Sequence, residues 1–191
     1  MDLLLPICAG VALAAACGFR VFVPMLALGI AARAGAIDPS AGLEWICSIP
    51  AITVFGVATL TEVAAYYIPW LDHALDTITT PGSVVAGTLA AAAAMGDLDP
   101  AVKWTLAFVA GGGTAGVVQG GTVVTRALSG ATTGGFGNPA VSTAENAASI
   151  VLSILAIVAP LLAAALVLFL FAWILRLFFR RRRGAATALA E

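Results

Sequence analysis

Residues 3–32 read LLLPICAGVALAAACGFRVFVPMLALGIAA, an apolar run with a single charge, Arg20, in its midst. As one straight helix at ~1.5 Å per residue it would extend roughly 45 Å, well beyond the ~30 Å hydrocarbon layer of a bilayer. Gly18, Arg20 and Pro24 interrupt it. The run is therefore either one tilted, kinked helix or two short halves forming a re-entrant hairpin, and the residues leave both open. It carries no basic n-region, Asp2 being its only early charge, and it continues past signal-peptide length, so it reads as a retained membrane segment.

The rest of the chain has the same character. Of 191 residues, 61% are hydrophobic and 10% charged, against about 25% charged in soluble domains. The mean hydropathy is +1.05. A soluble fold of this size would still expose much of its surface, so lipid is the expected solvent and the bilayer the expected partner. Further apolar runs cover 45–68, ending in Tyr66, Tyr67, Ile68, Pro69 and Trp70, an interfacial aromatic cluster. Others cover 81–95, which Thr80 and Pro81 open as a cap and first turn, then 101–124, and a long run to Phe179 interrupted by Pro160, either a kinked helix extending beyond the bilayer or two shorter pieces. The expected fold is all-α: a polytopic helical membrane protein of about five major crossings with broken or re-entrant helices. Residues 1–179 make one transmembrane domain and 180–191 a basic cytoplasmic tail.

Five of the nine basic residues are Arg176 and Arg180 to Arg183. Basic residues favour the cytoplasmic side, and one crossing per run puts Arg33, Lys103 and this tail together there. A nucleic-acid partner would need a basic face rather than one terminal cluster. Cys8, Cys17 and Cys47, an odd number without paired spacing, read as packing residues. Residues 9–29 and 110–130 align small residues at a constant offset. Thr59 to Ala65 and Ser142 to Ala148 each hold one glutamate beside small residues. With a single crossing between the halves, these matches suggest an inverted repeat, an arrangement that places transport sites near mid-membrane.

Arg20 is the sharpest functional candidate, because an intramembrane arginine is costly unless it faces protein or water. It suits an anion, a lipid phosphate or an internal carboxylate, and its structural alternative is an ion pair with Glu62 or Glu145. Those glutamates suit proton or cation binding, although Glu145 also fits a first-turn carboxylate stabilising its own helix. Thr132, Thr133 and Asn138 belong to a glycine-rich connection, TTGGFGNP, that suits anion binding or a broken-helix site, with Gln119 and Arg126 within reach on the preceding helix. Asp72, His73 and Asp76 form a weak metal or proton-relay set that a solvated helix face explains equally well. Gly112, Gly116 and Gly120 share a face suited to close helix packing or a homo-oligomer. No cofactor motif and no hydrolase motif such as His-Glu-x-x-His or Gly-x-Ser-x-Gly occurs. The reading is a non-enzymatic transporter or permease for a small ion or anionic solute, with a structural or assembly protein as the alternative.

Several motifs occur together: Ala16-Cys17-Gly18-Phe19-Arg20; Glu62 with Tyr66-Tyr67-Ile68-Pro69; Leu71-Asp72 with Leu75-Asp76-Thr77; and Ala131-Thr132-Thr133-Gly134-Gly135 with Gly137-Asn138-Pro139. In these the chain resembles a bacterial integral-membrane family catalogued as domain of unknown function 4126, over nearly its whole length up to about Phe179. The resemblance implies a bacterial inner-membrane location and supplies no activity or catalytic residues.

Overall fold

Proline and capping residues set most of the helix boundaries. The computed structural model describes residues 3–96 and 98–188, with the side chains of 69, 70, 72, 73 and 177–188 outside that description. The described chain is helical and contains no strand. Helices α1 (Leu4–Phe19) and α2 (Phe22–Arg33) are separated by Arg20, whose backbone is extended. A 3-10 turn (Glu44–Cys47) leads to α3 (Ile49–Ala65), capped by the Ser48 hydroxyl on the Ala51 N–H. Helix α4 is Pro69–Ala94. Asp99 accepts from the Ala101 and Val102 N–H groups to start α5 (Pro100–Leu106), which passes through a π-helical segment (Ala107–Gly112) into α6 (Gly113–Thr133). Gly134 and Gly135, both at positive φ, turn the chain into α7 (Asn138–Val158). Pro160 opens α8 (Pro160–Ala188), and the basic cluster at 180–183 lies on this helix.

Helix α4 departs from the sequence expectation, since it starts at Pro69 and continues through Pro81 instead of starting there. Two hydroxyls bond carbonyls around the proline: Thr80 donates to the Asp76 carbonyl and Ser83 to that of Thr80. The turns before Pro81 are also anchored by Asp76 and Thr79, which bond other helices. Tertiary pairing thus outweighs the local cap signal.

The centre is built from small side chains. Ala12, Ala14 and Ala16 of α1, Ala90 to Ala93 of α4, and Ala107 and Ala115 are all buried. A Cβ on Gly87 would lie 2.5 Å from that of Ala115, and one on Gly18 2.5 Å from that of Val118. Backbones this close gain dispersion contacts along their length, the main source of helix association in the absence of water. Gly112 and Gly116 lie against Thr88 and Val84 of α4, while Gly120 faces open space. The glycine face therefore makes its contacts within the chain at two of its three positions.

Neighbouring residues give the helix directions. Gly10 and Ala14 of α1 lie beside Ala91 and Gly87, so α1 and α4 are antiparallel. Ala14 approaches Gly111, and Gly18 approaches Ala115 and Val118, so α1 and α6 are parallel. Helix α7 descends along α1: Ser142 sits at Arg20, Ser149 at Ala16, and Ile157 near Pro6. Helix α8 turns back, because Pro160 is near Pro6 while Val167 and Phe171 pack with Ala15 and Phe19. Leu5 and Pro6 also share a cavity with Ala36, Ile37 and Asp38. Both ends of residues 3–33 thus lie together, which makes the first run a hairpin bent at Arg20.

We call the end with Pro6, Ile37, Gly96 and Pro160 the base, and the end with Arg20, Tyr66 and Gly134 the head. The run to Phe179 is two pieces, a hairpin at Ala159–Pro160, which is one of the two forms its length and Pro160 left open. Two expectations change. Arg33 and Lys103 bond the base connections at Cys47 and Ala41, whereas α8 carries Arg176 toward the head. The three basic groups therefore do not gather at one end. The proposed repeat matches α1 with a parallel helix but places Glu62 and Glu145 on helices of opposite direction, so no single inversion relates both pairs.

Candidate functional site: a charged network at the head

Extended backbone at Arg20 ends α1 and turns its side chain into the bundle, where the residue is 0% exposed. All three guanidinium nitrogens donate within the chain. Nε bonds Asn146 Oδ1; Nη1 bonds Glu145 Oε2 at 2.9 Å and the Phe19 carbonyl at 3.0 Å; Nη2 bonds the Ser142 carbonyl at 3.1 Å. Glu145 reaches a second cation, its Oε1 lying 3.3 Å from Arg126 Nε. Arg126 in turn pairs with Asp76 through Nη1 at 2.6 Å and donates from Nη2 to Thr122 Oγ1 at 3.2 Å. The result is a chain of alternating charges, Asp76–Arg126–Glu145–Arg20, contributed by α4, α6, α7 and the α1–α2 break.

Both arginines lie over the Tyr66 ring. Their guanidinium carbons lie 4.0 Å (Arg20) and 4.4 Å (Arg126) from its ring centroid. An aromatic face attracts a cation on either side, which eases the approach of two like charges. The Tyr66 hydroxyl is 2.9 Å from Thr79 Oγ1 and donates to Asp76 Oδ1 at 3.3 Å, and Gln119 Nε2 donates to Thr79 at 3.2 Å. Buried charges need such partners, because an unpaired one costs several kcal/mol.

Of the residues singled out from sequence, Arg20, Arg126, Glu145 and Gln119 meet here. Glu62 does not pair with Arg20. Its oxygens accept from the Val21 and Phe22 N–H groups at 2.8 and 3.1 Å, so it caps α2 from the end of α3. A carboxylate at a helix N-terminus satisfies otherwise orphaned donors and complements the dipole. Thr132 and Thr133 are exposed and bond carbonyls of their own helix, and Thr133 also accepts from the Gly137 N–H. These bonds seal the glycine-rich connection on itself and keep both threonines out of the network. Asn138 is buried at the start of α7. The side chains of Asp72 and His73 lie outside the described residues, and Asp76 serves as an ion-pair partner. Among the described residues no group of three or more His, Cys, Asp or Glu side chains is gathered to hold a metal ion.

Tyr66, Asp76, Asn146 and Thr122 are the members that sequence reasoning missed or assigned to other roles. One signal was available: Gln119, Thr122 and Arg126 recur at helical spacing, as do Ser142, Glu145, Ser149 and Ser153. Each set marks one polar stripe on an otherwise apolar helix, and both stripes are buried.

Three clefts surround this region. A cleft of about 310 Å³ between α4 and α6 is lined by Asp76, Thr77, Thr80, Val123, Arg126 and Ala127. Two apolar clefts flank α3, about 490 Å³ toward α4 and about 440 Å³ toward α7. The Asp76 side chain is 14% exposed, whereas that of Arg20 is fully buried.

The outer surface inverts the usual arrangement. Leu60 and Ile78 are 73% and 70% exposed, and Val54, Val57, Phe108, Val109 and Phe169 also point outward. Two helices, Pro100–Thr133 and Asn138–Val158, are long and apolar enough to cross a membrane. Charges inside and aliphatic side chains outside define a helical protein of membrane-like architecture. The family model described as Domain of unknown function (DUF4126) matches residues 7–180, and the chain belongs to that family. No curated protein and no solved structure matches it.

Proposed function

We propose that this is a multi-pass membrane protein working as a small permease for a small ion or anionic solute. The apolar outer surface supports the membrane reading, since soluble monomers rarely expose large contiguous apolar patches. On this reading the bundle makes about five crossings with broken or re-entrant helices, the hairpin bent at Arg20 being one such element. The arginines of α8 favour a cytoplasmic head, and the resemblance favours a bacterial inner membrane.

The observation that carries the permease reading is the buried ion-pair chain beside the α4–α6 cleft, which Asp76 and Arg126 line. Intramembrane charges that meet at a helix break, with one end reachable, are typical of transport sites. A closed network of this kind corresponds to an occluded state. The test is reconstitution of the purified chain in liposomes with measurement of small-ion flux. Flux above that of empty vesicles, lost in a folded Arg126→Gln variant, is the expected result. Vesicles that stay tight to chloride, nitrate, phosphate and potassium would remove the reading.

One observation favours a structural protein instead: every nitrogen of Arg20 is bonded within the chain. A scaffold would show no flux, and its Arg20 and Arg126 variants would lose folding together.

A further inference from the structure

Of the two apolar clefts beside α3, the one toward α7 has the shape and the polarity of an amphiphile. Its walls include Val23, Leu26 and Ile30 of α2, Val63 of α3, and Ile150 and Ile154 of α7. On α2 and α7 these residues recur at helical spacing, so the cleft is a groove along the helices from head to base. From Val23 to Ile30, and from Asn146 to Ile154, it covers about 10 to 12 Å at ~1.5 Å per residue.

The head end of the groove is polar. Asn146 lines it there, and its amide is held in one orientation because Oδ1 accepts from Arg20 Nε. That leaves Nδ2, with two N–H donors. Among the described residues its contact is the Tyr67 hydroxyl at 3.5 Å, the limit of a hydrogen bond. The Tyr67 hydroxyl also lies 2.9 Å from Thr143 Oγ1, and both interactions are exposed. Tyr67, Thr143 and Asn146 thus make an uncharged polar rim above hydrocarbon walls. The cleft on the other flank of α3 differs, because its Glu62 and Thr79 are bonded inward, to α2 and to Tyr66.

We infer that the α2–α3–α7 groove binds a membrane phospholipid, with one acyl chain lying along the three helices and its ester carbonyl accepting from Asn146 Nδ2. In lipid an exposed amide N–H needs an acceptor that hydrocarbon does not supply. The rim donors are neutral and select a neutral acceptor. A carboxylate would require a cation, and Arg20, behind Asn146, is fully buried with its nitrogens bonded within the chain. An ester carbonyl accepts without bringing charge, and the chain attached to it matches the apolar walls. Asn146 then links the lipid to the charged network, since the same amide holds Arg20 Nε.

The test uses the full chain purified in maltoside detergent, with its melting temperature read against added lipid. Dipalmitoyl phosphatidylcholine should raise it in a saturable way, as binding to the folded state requires. The diether analogue, with the same headgroup and chain length but no carbonyl, should need about tenfold more lipid for the same shift, the loss of one hydrogen bond. Asn146→Leu should respond to both lipids alike. Ala27→Phe, which fills the groove from the α2 wall, should respond to neither. Equal potency of the diester and diether lipids on the wild-type chain overturns the site, and that comparison needs no variant to fold. An undiminished shift in Ala27→Phe, or palmitate as potent as the diester, overturns it as well. The site rests on the membrane reading above and not on transport. A chain that stays monodisperse without detergent overturns the membrane reading and the site together; one that needs detergent yet melts alike with and without phospholipid overturns the site alone.

Discussion

Helices α1 and α3 are close in length, 16 and 17 residues, and both are apolar, yet they sit in opposite surroundings. Nine residues of α1 are buried, and it packs against α2, α4, α6, α7 and α8. Three residues of α3 are buried, Phe55, Glu62 and Ala65, and it rests mainly on α2 with an apolar cleft on each flank. The difference lies in side-chain size. Alanine, glycine and cysteine on α1 admit neighbouring backbones on every side, while Val54, Val57 and Leu60 on α3 point outward. Small residues build a rigid centre in lipid, and large aliphatic ones build a surface. The head network joins the two regions, since Tyr66 follows α3 directly and Arg20 follows α1.

The largest expected effect comes from filling the centre. Gly87→Val would drive a side chain into Ala115 at a place where the backbone cannot give way. Overpacking of this kind costs typically 1–3 kcal/mol and sometimes more. Loss of the monodisperse protein on size-exclusion chromatography is expected; unchanged recovery would contradict the tight centre described here. Next in size is the junction. Arg20→Met leaves Glu145 with one cation instead of two, and breaking a buried pair costs about 3–5 kcal/mol where no second partner remains. With Arg126 still present, a smaller loss is expected. In thermal melts the double variant Arg20→Met with Glu145→Gln should lose less than the sum of the two single variants. Strict additivity would show that the pair is not coupled.

The outer limb, α3 with the α2 it rests on, should respond more weakly. Glu62→Gln weakens the charged cap on α2, an interaction of about 1 kcal/mol. Hydrogen exchange should quicken at Val21 and Phe22 and leave α1 unchanged; faster exchange throughout α1 would mean that limb and centre form one cooperative unit. The smallest effect is expected at Gly120, where an added Cβ meets nothing within 4 Å. Gly120→Ala should stabilise α6 by at most about 1 kcal/mol through helix propensity. A clear loss of stability would instead point to a second chain covering that position.

Much of this architecture was legible in particular residues. Pro50, Pro100, Pro139 and Pro160 each lie at the start of a helix, where a missing N–H costs nothing. Arg20 stood out because no charge lies near it in sequence. Tyr66 was harder to read: beside Tyr67 and Trp70 it looks like an interfacial aromatic, and only the approach of Arg20 and Arg126 from two other elements makes it a cation partner. Asp76 was similarly obscured by His73, since both lie on one short polar stretch while its described cation partner is fifty residues away. Thr132 and Thr133 misled in the opposite sense, because their hydroxyls are satisfied within one turn.

The amino-acid sequence alone determined the helical class, the breaks at Arg20 and Pro160, and the rarity of charge that makes each buried ion conspicuous. Those properties depend on composition and on neighbours a few residues apart. The tertiary structure decided which way each broken run folds back and which carboxylate meets which arginine. Charge pairing acts over a few ångströms in space, so partners more than a hundred residues apart, such as Arg20 and Glu145, become visible only once small side chains have brought their helices together.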